Sequence, residues 1–301
     1  MAAVPRAVVV HRRTELDDLV DRHGTRGAAE FFLRTRGRTL AEVQDRHDHL
    51  GSALDRVRDA VPPAWRRGSV ERDDLARFPF EPDDVVLVVG PDGLVANVAK
   101  YLDGQPVVGI DPEPGRNPGV LVPHAPEIVP ALLAAAANGA LACESRVMVH
   151  AALDDGQELH AVNDVYVGHA SHQSARYRLR APGSDAPERQ SSSGLVVATG
   201  TGATGWAASL VRQRVHPVPL PAPTEPVLAW FVREAWPSPA TGTDLTEGVL
   251  ATDESLVLTV ESDALVVFGD GLEPDRLTAS WGQTVHVDVS ARVLRLATPG
   301  R

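Results

Sequence analysis

Residues 85–110 hold an unbroken apolar run, Val85-Val86-Leu87-Val88-Val89, then Gly90-Pro91-Asp92-Gly93, a helical stretch over 94–102, and a second apolar run over 107–110. A strand with one wet face would alternate apolar and polar residues. A continuous β-branched run needs cover on both faces, as parallel strands have. Strand, glycine turn, helix and strand make a βαβ unit, and in open parallel sheets ligands bind outside the carboxyl ends of the strands where the strand order reverses. The turn after 85–89 is therefore expected at such a place, with Asp92 at its mouth.

The flanking segments fit the same class. Residues 7–10 read as a short buried strand, followed by helical sequence. Thr39-Leu40-Ala41-Glu42 has the form of a capping box, and Leu40, Val43, Leu50, Leu54, Val57 and Val61 recur at helical spacing until Pro62-Pro63 ends the run. Residues 66–77 read as loop and edge structure. The alanine-rich 131–137 reads as a helix closing the first region near Asn138-Gly139. From Ser145 the texture changes to alternation, with Val147, Val149, Leu159, Val162, Val165, Val167, Tyr177 and Leu179 set between polar turns such as Asp154-Asp155-Gly156, which predicts antiparallel strands. The exception, 195–198, is a buried strand leading into Thr199-Gly200-Thr201-Gly202-Ala203-Thr204-Gly205-Trp206. The expected organisation is an α/β domain with a parallel sheet over 1–140 and a mostly antiparallel β domain over 141–301.

Composition narrows the function classes. A net charge of -11 gives no global attraction to nucleic acid or to anionic membranes. The single cysteine, Cys143, excludes an intrachain disulfide and a cysteine-based zinc cluster. No signal-peptide core precedes the first charges and no eighteen apolar residues run together, so a cytoplasmic protein is expected. The eleven histidines are scattered without helical i, i+4 spacing and read as structural or solvated.

Three segments carry chemistry. At Gly90-Pro91-Asp92-Gly93, a helix start behind a strand offers backbone N–H groups and the positive end of a helix dipole to phosphate. A carboxylate there would hold a metal or accept a proton, or else Asp-Gly serves turn geometry alone. Asn163-Asp164 interrupts a strand pattern with two residues that prefer turns, which implies either a bulge or tight loop or a ligand contact. The 199–206 stretch combines glycines for close approach, the hydroxyls of Thr199, Thr201 and Thr204, and the ring of Trp206 as a face for a base.

In order and approximate spacing, Gly90-Pro91-Asp92-Gly93, Asn163-Asp164 and 194–206 resemble the three signature blocks of NAD kinases, Gly-Gly-Asp-Gly-Thr, Asn-Glu and Gly-Leu-x-x-Ala-Thr-Pro-Thr-Gly-Ser-Thr-Ala-Tyr or Trp. Val108-Gly109-Ile110-Asp111 with Pro112, and Pro118-Gly119-Val120-Leu121, resemble the strand region after the first block. With Gly37-Arg38-Thr39 and Gln44-Asp45-Arg46-His47, the chain looks closest to the mitochondrial-type branch. The resemblance implies two domains with a cleft between them, ATP and magnesium ion as cofactors, NAD as substrate, and transfer of a phosphoryl group to the 2′-hydroxyl of the adenosine ribose. A homodimer is common in the family. By the same resemblance Asp92 takes the hydroxyl proton, Gly90 and Gly93 form the phosphate turn, Asn163 and Asp164 hold ribose hydroxyls, and Thr199, Thr201, Gly202, Thr204 and Trp206 surround the dinucleotide.

The first block departs from the family at two positions. Pro91 replaces a glycine and removes one N–H, and Leu94 replaces a threonine and removes a hydroxyl from the expected phosphate turn. Gly200, Ala203 and Gly205 stand for proline, serine and alanine in the third block, and Asp164 reaches less far than glutamate. Two function classes follow: a kinase of NAD(H) or of another small-molecule hydroxyl, and a non-catalytic dinucleotide-binding regulator.

Overall fold

The structure is a computed structural model that describes residues 5–116 and 119–299; Pro118, named above, lies outside that range. The chain divides into two compact units, Met1–Glu144 with Arg295–Arg301, and Ser145–Leu294. The carboxyl-terminal return to the first unit is a feature that reading 141–301 as one domain did not anticipate.

The first unit holds β1 (Arg6–His11), α1 (Glu15–His23), α2 (Arg26–Arg34), α3 (Leu40–Ala60), β2 (Arg66–Glu71), β3 (Asp84–Val89), α4 (Asp92–Ala99), β4 (Pro106–Ile110) and α5 (Val129–Ala137). Its strands run in the order β2-β1-β3-β4, each parallel to its neighbour. All six residues of β3 are buried: Val85 to Val89 as an unbroken apolar run requires, and Asp84 through its ion pair with Arg6. Val85, Leu87 and Val89 share a core with Ala53, Leu54 and Val57 of α3 and Leu132 and Leu133 of α5. α4 crosses between β3 and β4, completing the βαβ unit read from sequence. Thr39 caps α3 through the capping box its sequence predicts: its side chain accepts from the Glu42 N–H, and the Glu42 side chain accepts from the Thr39 N–H.

The second unit carries most of the remaining strands: β5 (Cys143–Leu153), β6 (Glu158–Ala161), β7 (Asp164–His169), β8 (Ala175–Arg180), β9 (Glu188–Ser192), β10 (Leu195–Ala198), then α6 (Trp206–Arg212), β11 (Leu228–Val232), β12 (Glu247–Leu250), β13 (Ser255–Val260), β14 (Ala264–Gly269), β15 (Leu277–Ser280) and β16 (Thr284–Ala297). β5 begins, and β16 ends, in the first unit, where Arg295 and Leu296 pair in parallel with Pro106 and Val107 of β4. Within the second unit one antiparallel sheet runs β12-β11-β10-β7-β14-β15, and a second set contains β16-β13-β8-β9 with β5 and β6. Their inward residues form one core, including Val165, Val167, Tyr177, Leu179, Leu195, Val197, Leu258 and Val285. This is the antiparallel alternation expected from Ser145 onward. Among the described residues no helix is long and apolar enough to cross a membrane.

Candidate functional site

In the first unit the strand order reverses between β1 and β3: from β1 the chain passes to β2 on one side, and β3 and β4 follow on the other. The carboxyl ends of β1, β3 and β4 therefore open onto one crevice. A cavity of about 450 Å³ occupies it, lined by Arg12, Arg13, Thr14 and Glu15 after β1, Gly90, Pro91, Asp92 and Gly93 after β3, and Asp111, Pro112 and Glu113 after β4, with Arg46 of α3 at the side. Arg13 is engaged by Asp18 and Asp21. Arg12 and Arg46 are exposed and have no carboxylate within salt-bridge reach among the described residues, so two guanidinium groups line the crevice without an ion-pair partner there.

Pro91 is the N-cap of α4, and its carbonyl accepts from the Leu94 N–H at 2.9 Å. Proline here removes an N–H that the helix itself does not need, so helix geometry survives while the turn loses one donor. Leu94 points inward. It is 2 % exposed, and one of its methyl groups lies 3.0 Å from where a Cβ on Gly90 would stand. The Leu94 side chain thus belongs to the packing beneath the turn rather than to its rim.

Asp92 has a structural task that its sequence context did not reveal. Its Oδ2 accepts the Val120 N–H at 2.8 Å, and its Oδ1 accepts those of Leu121 at 2.9 Å and Val122 at 3.2 Å. The segment that makes these bonds lies along β4, where the Asp111 N–H donates to the His124 carbonyl and the His124 N–H to the Gly109 carbonyl. Only glycine fits at 109, since a Cβ there would stand 1.8 Å from the Leu121 carbonyl oxygen. The Val-Gly-Ile-Asp stretch and the Gly-Val-Leu stretch thus meet, and Asp92 ties the second of them to the β3 turn.

In the second unit Asn163 lies in the bend between β6 and β7, and Asp164 opens β7, so the unfavourable pair sits at a tight turn rather than inside a strand. The 199–205 loop packs directly on it. The Thr199 N–H donates to the Asn163 carbonyl at 2.9 Å, the Thr199 hydroxyl donates to the Val162 carbonyl at 2.5 Å, and the same hydroxyl oxygen accepts from the Thr201 and Gly202 N–H groups at 3.0 and 3.3 Å. Thr199 is fully buried and shapes the loop. At Gly202 a Cβ would meet the Asn163 carbonyl oxygen at 2.2 Å, which explains the glycine. Thr201 is buried, its hydroxyl without a hydrogen-bond partner among the described residues, whereas Thr204 is exposed. The Trp206 ring stacks on Tyr166 at 5.5 Å with 21° between planes, and the Arg233 guanidinium lies 5.2 Å from its centroid. Its aromatic surface is therefore engaged by protein groups.

Sequence reasoning missed Asp270. This residue, in the left-handed region at φ 55°, accepts the N–H groups of Val162 at 3.0 Å and Asn163 at 2.7 Å through its carboxylate, and its own N–H donates to the Asp164 carbonyl at 3.0 Å. Burial, and then the Asp270 charge, push the Asp164 carboxyl up to about 7. The only sequence signal was Gly269-Asp270-Gly271, which by itself reads as a hairpin turn. Each unit thus gathers its own set of sequence-predicted residues: Gly90, Asp92 and Gly93 in the first, and Asn163, Asp164, Thr199, Thr201, Gly202, Thr204 and Trp206 in the second.

Comparison with known proteins points in one direction. The chain is 32% identical over 139 residues to an NAD kinase of Saccharophagus degradans, a match that covers 44% of this chain and 47% of the relative, so it spans about half the length of that protein. In fold it is similar to yeast NADH kinase, solved in complex with NADH, with a TM-score of 0.62 at 13% identity, covering 99% of this chain and 85% of the other. No protein-family sequence model matches the chain.

Proposed function

We propose that this chain is an NAD kinase-like phosphotransferase that moves the γ-phosphoryl group of ATP to a ribose hydroxyl of NAD(H) or a related nucleotide, a reading supported by its similarity to an NAD kinase over 139 residues and by its NADH kinase-like fold. The observation that carries the reading is the crevice at the reversal of the first unit's sheet, with the Gly90–Gly93 turn on one wall and Arg12 and Arg46 beside it. Phosphoryl transfer asks a protein chiefly to position polyphosphate and to stabilise its charge. The first N–H groups of α4 and the two guanidinium groups are suited to that work. Asp111 and Glu113 line the same cavity and offer the hard carboxylate oxygens that magnesium takes alongside phosphates. When bound, that ion would neutralise charge on the polyphosphate.

In the reaction the bond from the γ-phosphorus to its bridging oxygen breaks, a bond to the ribose oxygen forms, and the hydroxyl proton passes to a carboxylate. Asp92 is assigned that proton by resemblance; the 120–122 segment takes three of its acceptor positions, two on Oδ1 and one on Oδ2, which leaves a lone pair on Oδ2 for the proton. In the second unit Asn163 and Asp164 are assigned to ribose hydroxyls, and the 199–206 loop to the dinucleotide's bases.

The backbone-holding role of Asp92, which accepts three N–H groups of the 120–122 segment, supports a second reading, a regulator that binds dinucleotide without turnover. The two separate in one experiment on the purified chain: calorimetric titration with NAD, NADH, ATP and magnesium-ATP, followed by ATP-dependent formation of NADP(H). Dinucleotide binding with phosphorylation supports the kinase, dinucleotide binding without magnesium-ATP binding supports the regulator, and binding of neither removes both.

A further inference from the structure

The β5–β6 hairpin sets His150 directly opposite His160, and the two imidazoles stack with centroids 4.9 Å apart and 25° between planes. Ten positions apart in sequence, they meet because an antiparallel register brings them together. β16 pairs with β5 and contributes Asp288, Ser290 and Arg292, alternate positions that share one face of the strand. The Asp288 carboxylate lies 3.0 Å from His150 Nδ1, and Ser290 Oγ lies 2.9 Å from His160 Nδ1. Glu158 Oε2 is 3.5 Å from His150 Nε2. One ligand atom from each of His150, Glu158 and His160 falls within 4.8 Å of the other two.

We propose that His150, Glu158 and His160 form a three-ligand site for a divalent cation of the zinc class. Two imidazole nitrogens and a carboxylate oxygen, with a fourth position left to water, are a donor set that zinc accepts. Bonds of about 2.0–2.1 Å at tetrahedral angles place ligand atoms roughly 3.3 Å apart, so the His150–Glu158 pair already stands at working distance and His160 needs only a small approach. Each Nδ1 is held by a second group, His150 by Asp288 and His160 by Ser290, which fixes both ring orientations and leaves His150 Nε2 facing Glu158, as outer-shell partners of metal-bound histidines do. Imidazole donors disfavour magnesium and calcium, which take oxygen ligands. The neighbouring charges are compatible: Glu158 and Asp288 offset a dication, against the single positive charge of Arg292. The bound ion would cross-link β5 to β6 within the hairpin.

The test uses the full chain after removal of metals with a chelator, titrated with cobalt(II) and followed by its visible absorption, with zinc(II) then added to displace it. The site predicts one cobalt per chain with the intense bands of four-coordination, displaced by zinc. Glu158→Gln, at an exposed position that does not threaten the fold, should weaken binding at least tenfold. His150→Gln should abolish the bands, and Asp288→Asn should weaken binding about tenfold. His49→Ala, in the other histidine–carboxylate cluster of Asp45, His49 and Glu113, should leave the signal unchanged. Absence of stoichiometric cobalt binding, binding retained in Glu158→Gln and His150→Gln, or a signal lost in His49→Ala overturns the assignment. None of these readouts depends on ATP or dinucleotide, so their failure is distinct from failure of the kinase reading.

Discussion

Replacing Asp164 by asparagine isolates one electrostatic cost of the second unit. The Asp164 carboxyl moves from 3.8 to about 7 because folding buries it and places it beside Asp270. A carboxyl whose folded pKa is raised keeps its full stability contribution below the unfolded pKa, near pH 3.8, and loses it as pH rises toward the folded value. At about 1.36 kcal/mol per unit, the loss is roughly 1.5 kcal/mol by pH 5 and approaches 4 kcal/mol by pH 8. Asparagine preserves shape and carries no charge to desolvate. The stability of Asp164→Asn minus that of the wild type should therefore widen by about 2.5 kcal/mol between pH 5 and pH 8. Urea denaturation at a series of pH values measures it, and taking the difference between the two proteins cancels titrations they share. Parallel curves across that range would refute the burial argument, and a gap that narrows with rising pH would reverse its sign.

Other consequences are independent. Asp270→Asn suits the left-handed backbone at φ 55° while removing the charge, so it should lower the Asp164 pKa and flatten the pH dependence of stability, read from the carbon-13 shift of the Asp164 carboxyl. Gly109→Ala drives a Cβ into the Leu121 carbonyl and should cost about 1–3 kcal/mol or more in denaturant unfolding, with the 119–124 segment becoming the first site of proteolysis. Arg12→Ala and Arg46→Ala should each weaken magnesium-ATP binding by about tenfold in calorimetry, near 1.5 kcal/mol per lost charge-assisted hydrogen bond, while leaving thermal stability nearly unchanged. Leu94→Thr, a change toward the kinase motif, should destabilise by about 1–3 kcal/mol without raising ATP affinity, because the side chain at 94 packs beneath the turn.

The parts of the fold legible in sequence are those in which one local pattern decides the outcome. The run 85–89 needed cover on both faces and Gly90-Pro91-Asp92-Gly93 needed a turn, and together they put Asp92 at the carboxyl end of β3, beside the reversal of strand order. The alternation after Ser145 specified antiparallel strands because one face of each had to be buried. What escaped were contacts made by residues far apart in the chain. The Asp92 carboxylate bonds to N–H groups some thirty positions on, and Asp270 clamps a bend more than a hundred positions earlier, which no periodicity encodes. β9, with the sequence Glu-Arg-Gln-Ser-Ser, shows the same limit for backbone, since its strand state comes from pairing with β8 and not from propensity. His150 and His160 failed a helical spacing test because their meeting depends on strand register. Asp92 joins the two lessons. Its position was readable because a strand and a turn determine it, whereas its three backbone partners depend on how the chain returns along β4, and those partners fix the carboxylate's orientation at the mouth of the crevice.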